Sequence, residues 1–208
     1  MSLDVSTLRR LAANRLHSLS PSEATRGDAD LNPETSYERN PLGAAVPAAV
    51  LVPIIAHPSG LTLLLTERTA GLPSHPGQVA FPGGKVDPDD RGPEAAALRE
   101  TEEEIGLDRR FVDPLGFLDT YQTGSGFRIS PLVALVTEGF TLRLNQGEVA
   151  ATFEVPLAFL LDQANHQLQS REWRGKLRYF YVMPYGKHYI WGVTAGMIRD
   201  LAEKLGPP

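Results

Sequence analysis

Apolar residues recur at helical spacing in some parts of the chain and gather into short β-branched runs in others. Leu8, Leu11, Ala12 and Leu16 share one face of a first helix, with Ser6 or Thr7 at its cap. Val46 to Ala56 is continuously apolar and reads as a buried strand. The turn His57-Pro58-Ser59-Gly60 then leads into a second strand, Leu61 to Thr66, which closes a hairpin. Gly71 to Gly84 is rich in Gly and Pro and reads as loop, interrupted by Val79-Ala80-Phe81. Pro93 to Ile105 predicts a helix, because Pro93 suits a first helical position, Ala95 to Leu98 are good helix formers and Gly106 suits the exit. Strands follow at Pro114 to Tyr121, Ile129 to Val136 and Val149 to Val155, then a short helix at Pro156 to Leu161. Leu177 to Met183 and His188 to Trp191 predict two more strands around the turn Pro184-Tyr185-Gly186. Thr194 is the expected cap of a last helix in which Ile198, Leu201 and Leu205 share a face and Gly206 marks the end.

Strands and helices mixed along one chain predict an α/β or α+β sandwich. Ser18 to Leu42 turns to Ser, Pro, Asp, Asn and Gly, an irregular connection. Residues 1–42 are therefore expected to add a helix and a connection to a main body at 43–208, within a single domain. Apolar residues at 42% and charged residues at 22% of 208 exclude global disorder. The net charge of −5 supplies no basic field for a nucleic-acid backbone. With no cysteine, disulfides, thiolate zinc sites and cysteine nucleophiles are excluded. The N-terminal stretch lacks the apolar run of a signal peptide, and no apolar run is long enough to cross a bilayer. A cytoplasmic protein with neither membrane nor nucleic-acid partner is expected.

The strongest chemical signal is Arg99-Glu100-Thr101-Glu102-Glu103-Glu104-Ile105-Gly106-Leu107. On a helix turning about 100° per residue, Glu100, Glu103 and Glu104 fall on one arc, while Leu98, Thr101 and Ile105 share another. Carboxylates gathered in this way repel one another unless water screens them or a cation neutralises them. A solvated acidic face is the plain alternative. Oxygen donors without His or Cys suit a hard ion, Mg²⁺ or Mn²⁺. Ahead of the helix, Gly83-Gly84 lets main-chain carbonyls approach a ligand closely, and Lys85 adds a cation suited to phosphate.

Gly84, Arg99-Glu100 and Glu103-Glu104-Ile105-Gly106-Leu107 resemble the box of the Nudix hydrolases. Gly84 and Arg99 are one residue further apart than that pattern, so Asp90 or Glu94 stands near its isolated Glu, and Thr101 holds its apolar position. Leu64-Leu65-Thr66-Glu67-Arg68-Thr69 and Pro76 to Lys85 are similar to the coenzyme A diphosphatase branch, which shares the longer box; Pro73 stands where that branch has Arg. The resemblance implies a Nudix-type α/β/α sandwich with a mixed central sheet. It implies Mg²⁺ or Mn²⁺ on Glu100, Glu103, Glu104 and the Gly84 carbonyl, with Arg99 orienting a ligand. It implies a carboxylate base: Glu103 or Glu100 within the box, although these are already committed as ligands, or one from a later loop, for which Glu148 is the candidate, a solvated loop Glu being the alternative reading. Arg68 and Lys85 are candidates for phosphate oxygens, and Phe127, with Tyr121, for stacking on a base; both aromatics otherwise read as core. The implied reaction is hydrolysis of a small nucleoside diphosphate derivative, coenzyme A or an acyl form foremost, to 4′-phosphopantetheine and adenosine 3′,5′-bisphosphate. ADP-ribose, NADH or an oxidised nucleotide is the alternative substrate, and a catalytically silent binding module is the alternative class. Related enzymes are often homodimers.

Overall fold

The computed structural model describes residues 3–33, 45–71, 76–173 and 175–206. In chain order the elements are α1 (Val5–Arg15), β1 (Arg26–Gly27), β2 (Val46–His57), β3 (Gly60–Arg68), β4 (Val79–Ala80), β5 (Gly83–Lys85), α2 (Pro93–Ile105), β6 (Val112–Phe117), β7 (Tyr121–Gln122), β8 (Phe127–Val136), β9 (Val149–Pro156), α3 (Leu157–Leu161), β10 (Gln167–Trp173), β11 (Lys176–Tyr185), β12 (His188–Trp191) and α4 (Gly192–Leu205). Strands β1 to β9 form one mixed sheet, in which β8 runs parallel to β2 while β3 and β5 run antiparallel to it.

The pleat divides the core. Ala49, Leu51, Ile55 and Leu64 face α2 through Ala96, Ala97 and Ile105. Val52, Ile54, Leu63 and Leu65 face the opposite layer, with Leu8 of α1, Leu160 of α3, Met183, Ile190, and Ile198 and Leu201 of α4. Successive side chains leave a strand on opposite faces, so a run apolar at every position must be covered on both sides. The result is the predicted α/β/α sandwich, and Leu8 puts the N-terminal helix in the same core as the last one. The expected division at residues 42 and 43 lies outside the described residues.

One departure from a plain hairpin positions the site. β2 and β3 pair only near their turn, Ile54–His57 with Gly60–Leu63, and then diverge. The Gly/Pro-rich segment fills the fork: β4 pairs with β3, β5 pairs with β2, and Leu51 N donates to Pro82 O at 2.9 Å.

Several sequence expectations need correction. Asp4, not Ser6 or Thr7, caps α1, accepting from Thr7 N at 2.7 Å. The strand expected at Pro114 to Tyr121 is broken into β6 and β7, with a register shift between Pro114 and Gly116. Pro156 ends β9 rather than opening α3. β11 continues through the expected turn to Tyr185, leaving Gly186 and Lys187 as the connection. Pro184 is tolerated because β10 reaches only as far as Val182, so that edge asks no N–H of it. β10 leaves no apolar pattern in the sequence because it is largely polar and exposed. Thr194 lies inside α4, whose cap is Trp191, and its hydroxyl donates to Val79 O at 3.0 Å.

At the β2–β3 turn, His57 Nδ1 lies 2.6 Å from Glu138 and Nε2 lies 2.7 Å from Glu154. Two carboxylates on one ring require both nitrogens to donate, so these hydrogen bonds, that from Glu138 foremost, raise the His57 pKa above its ordinary 6.5. This contribution to stability is complete below pH 6.5 and is lost as pH rises through the folded-state pKa. Replacing His57 with Ala is expected to flatten the fall of Tm across that window. Melting curves taken from pH 5.5 upward that run parallel for both proteins would discard this clasp.

Candidate active site

α2 lies across β2 and β5 and ends where Gly106 turns left-handed, at φ 68°. A Cβ on Gly106 would come within 2.9 Å of Arg143 N, because the 143–148 loop closes on this helix end. Arg143 N and Asn145 N donate to the Ile105 and Glu104 carbonyls, each at 2.8 Å. The free carbonyls of the last turn thereby tie a distant loop to the acidic helix.

The three carboxylates of the helix occupy different surroundings. Glu104 is 5% exposed and accepts from Gly83 N at 3.0 Å. Burial is the main cause that pushes its pKa up to about 7, and the Glu148 charge adds to it. Glu100 is half-buried and lies against Gly84, where a Cβ would come within 2.5 Å of its carboxylate carbon. Burial raises its pKa against the pull of Arg99. Glu103 is largely exposed.

Arg99 organises this group. Its guanidinium donates to Glu100 at 2.9 Å, to Glu103 at 3.1 Å and to both oxygens of Asp90 at 2.9 and 3.1 Å. It also reaches the Lys85 carbonyl at 3.2 Å. Of the two residues left open near the box's isolated Glu, Asp90 is therefore the one joined to Arg99, which holds its carboxyl below the usual range.

Opposite the helix end, β3 has a register shift between Glu67 and Arg68. Arg68 Nε is buried and finds no hydrogen-bond partner among the described residues. The Arg68 charge acts on Glu104 in the direction opposite to Glu148, so all three belong to one electrostatic group. Glu148 is held through Oε1 by Asn145 Nδ2 at 2.9 Å, and its carbonyl accepts from Thr69 N at 2.9 Å.

The structure thus brings Glu100, Glu103, Glu104, Gly84, Arg99, Arg68 and Glu148 around one fork. Lys85 ends β5 at the rim with its side chain exposed. Phe127 opens β8 opposite Val46, and no hydrogen bond or ring contact in the described residues joins it to the group. Tyr121 belongs to the core: its ring blocks a Cβ at Gly196, and its hydroxyl donates to Asp28 at 2.8 Å. Pro73 and His75 lie outside the described residues. Among the described residues no three carboxylate or imidazole groups form a ready-made cation cage. Arg99 draws Glu100 and Glu103 together, while Glu104 turns toward Gly83.

The model of the NUDIX domain matches residues 46–177, which contain the whole fork, the acidic helix and the 143–148 loop. The chain belongs to the Nudix hydrolase family. It is 44% identical over 158 residues to a protein of Photorhabdus laumondii named "Uncharacterized Nudix hydrolase NudL", covering 76% of this chain and 84% of that one. The NudL of Escherichia coli K12 is 40% identical over 159 residues, at 76% and 82% coverage. Among solved structures, the Nudix hydrolase RenU of M. smegmatis is 25% identical, with a TM-score of 0.48 over 58% of this chain and 74% of that one.

Two elements of this Nudix site escaped the sequence reading. Gly83 N is an anchor for Glu104, and Asn145 is the residue that steadies Glu148. The second had a signal: Asn three residues before Glu, with Gly between them, is turn chemistry in which the Asn side chain bonds locally. Arg99→Lys is expected to lower the turnover of the Nudix domain by about 10–100-fold, the usual scale for a group that orients site ligands. A point-charge ammonium cannot serve Asp90, Glu100 and Glu103 together as the planar fork does. Turnover within twofold of the parent would show that these contacts are dispensable.

Proposed function

We propose that this Nudix hydrolase is a cation-dependent diphosphatase acting on a nucleoside diphosphate derivative, with coenzyme A or an acyl derivative as the substrate. The observation that carries the reaction is the grouping of Glu104, Glu148 and Arg68, with Glu100, around the Gly83-Gly84 backbone. Carboxylates that crowd and bury one another at a single fork are costly unless positive charge joins them. The donor set fits a hard divalent ion, Mg²⁺ or Mn²⁺: it is all oxygen, and the missing Cβ of Gly84 lets the Glu100 carboxylate close on that backbone. Glu100, Glu103, Glu104 and the Gly84 carbonyl would hold it. Such an ion neutralises phosphate charge and makes a bound water more acidic.

The chain's own groups supply the rest. Arg68 lies beside Glu104 with an unpartnered Nε to offer a phosphate oxygen, and Lys85 adds a second cation at the rim. Glu148 is fixed through Oε1, which leaves Oε2 to take a proton from the attacking water. A new P–O bond forms to that water, the bridging P–O bond breaks, and the leaving monoester carries away the electron pair. The matches at Leu64–Thr69 and Pro76–Lys85 support coenzyme A as substrate. The same proposal includes the cytoplasmic location expected from the sequence. Among the described residues, no helix is long and apolar enough to cross a membrane.

The test is hydrolysis of coenzyme A with Mg²⁺ or Mn²⁺, products weighed by mass spectrometry. Cation-dependent release of 4′-phosphopantetheine is the expected result. Cleavage of ADP-ribose, NADH or an oxidised nucleotide in its place would overturn the substrate and keep the chemistry. Inertness toward every diphosphate would replace the enzyme with a binding module.

A further inference from the structure

A second feature lies on the other side of the same strand end. A cavity of about 220 Å³ opens between the β3–β4 pair and the β11–β12 turn, lined by Glu67, Gly77, Lys187, His188, Tyr189 and Trp191. It shares its wall with the fork. Gly77 N donates to Arg68 O at 3.1 Å, and Arg68 N donates to Gln78 O at 3.0 Å, so the turn that backs Arg68 also bounds the cavity.

Its lining is built rather than incidental. His188 stacks on Phe153 with ring centres 3.5 Å apart and planes 2° from parallel, and its Nδ1 stands 3.7 Å from Glu67. Trp191 is braced edge-on by Phe180 at 5.5 Å, and the Tyr189 hydroxyl is fixed by Gln169 at 2.7 Å. Lys187, in the two-residue turn, has no ion-pair partner among the described residues. Among the described residues, a Cβ on Gly77 would meet nothing within 4 Å.

We infer that this cavity is a subsite for the nucleotide end of the substrate: an amino-bearing base carried on a ribose that also bears a phosphomonoester. Tyr189 and Trp191 offer aromatic surface to a flat heterocycle. The Glu67 carboxylate is an acceptor for an exocyclic amino group. Lys187 is a point charge for a terminal phosphate, separate from the cations at the scissile diphosphate. A space of this size suits a base and sugar and is too small for a whole dinucleotide. The inference rests on the diphosphatase reading and specifies which half of the substrate goes where.

The experiment compares kcat/KM for coenzyme A and for dephospho-coenzyme A, which lacks only the 3′-phosphate, in the parent and in Lys187→Ala. Calorimetric titration with adenosine 3′,5′-bisphosphate accompanies it. The preference for coenzyme A is expected to shrink at least tenfold in the variant, through KM rather than kcat, and the bisphosphate to bind at least tenfold more weakly. An unchanged preference together with unchanged bisphosphate affinity overturns the subsite. Should neither coenzyme A form be cleaved, the diphosphatase reading fails on its own. The titration then still decides the cavity, since bisphosphate binding lost in Lys187→Ala upholds it and binding equal in both proteins removes it.

Discussion

Glu104→Gln is expected to abolish most diphosphate hydrolysis and, in chelator, to make the protein more stable. The two effects have one cause. Glu104 is buried, and burial with the nearby Glu148 charge lifts its pKa to about 7. The group therefore favours folding fully below pH 4.5, and this support is lost as pH rises toward and through 7. At pH 8 the folded protein carries a charge it disfavours by on the order of 3 kcal/mol. Gln keeps an oxygen for Gly83 N and removes the charge. For a domain of this size that corresponds to a rise in Tm of roughly 5–10 °C at pH 8, shrinking toward zero below pH 5. Turnover should fall by about 10²–10³-fold, the loss seen when one preorganised electrostatic partner of a transition state is removed. Tm against pH in chelator and turnover in Mg²⁺ are the two readouts. A Gln variant less stable than its parent at pH 8 would show that the charge is already compensated in the folded protein.

Adjacent glycines are expected to fail in different ways. Gly83 has φ 150°, and a Cβ there would collide with the Ala49 carbonyl and the Val50 backbone. Neither obstacle is a side chain that can swing aside, so Gly83→Ala should cost about 2–5 kcal/mol of stability from strain and overpacking. At Gly84 the obstacle is the end of the flexible Glu100 side chain, with the carboxylate carbon at 2.5 Å. Gly84→Ala should therefore fold, with Tm within a few degrees of the parent, and lose at least about 10²-fold in turnover as Glu100 is displaced. Denaturant melts and initial rates on the two variants separate the roles. Equal loss of stability in both would mean that the pair serves only the packing of β5 on β2.

These contrasts show how much of the site was legible beforehand. The box helix was, because its limits follow from Pro93 and Gly106 and its acidic arc from the 3.6-residue period. The family was, because glycine, arginine and glutamate at fixed spacing form a pattern that composition alone does not produce. The ranking of the three carboxylates was not. Periodicity places Glu100, Glu103 and Glu104 on one arc, but only the sheet beneath α2 makes Glu104 the buried one and leaves Glu103 to solvent. The choice between Asp90 and Glu94 was also open until the loop folded back onto Arg99.

The remaining division has a physical reason. Sequence by itself determined what acts over a few residues: the helices, most of the apolar strands, the close backbone approach at the paired glycines and the chemistry of the acidic run. Tertiary structure decided what depends on partners far along the chain. β10, polar and exposed, exists as a strand only because β11 offers it an edge. The fork exists because β2 and β3 part after Ile54 and Leu63, and admit β4 and β5. Glu148 meets Glu104 because carbonyls left free at the end of α2 bind the backbone of a loop some forty residues later. Long-range hydrogen bonds and burial leave no local periodicity, so only the folded chain reveals them.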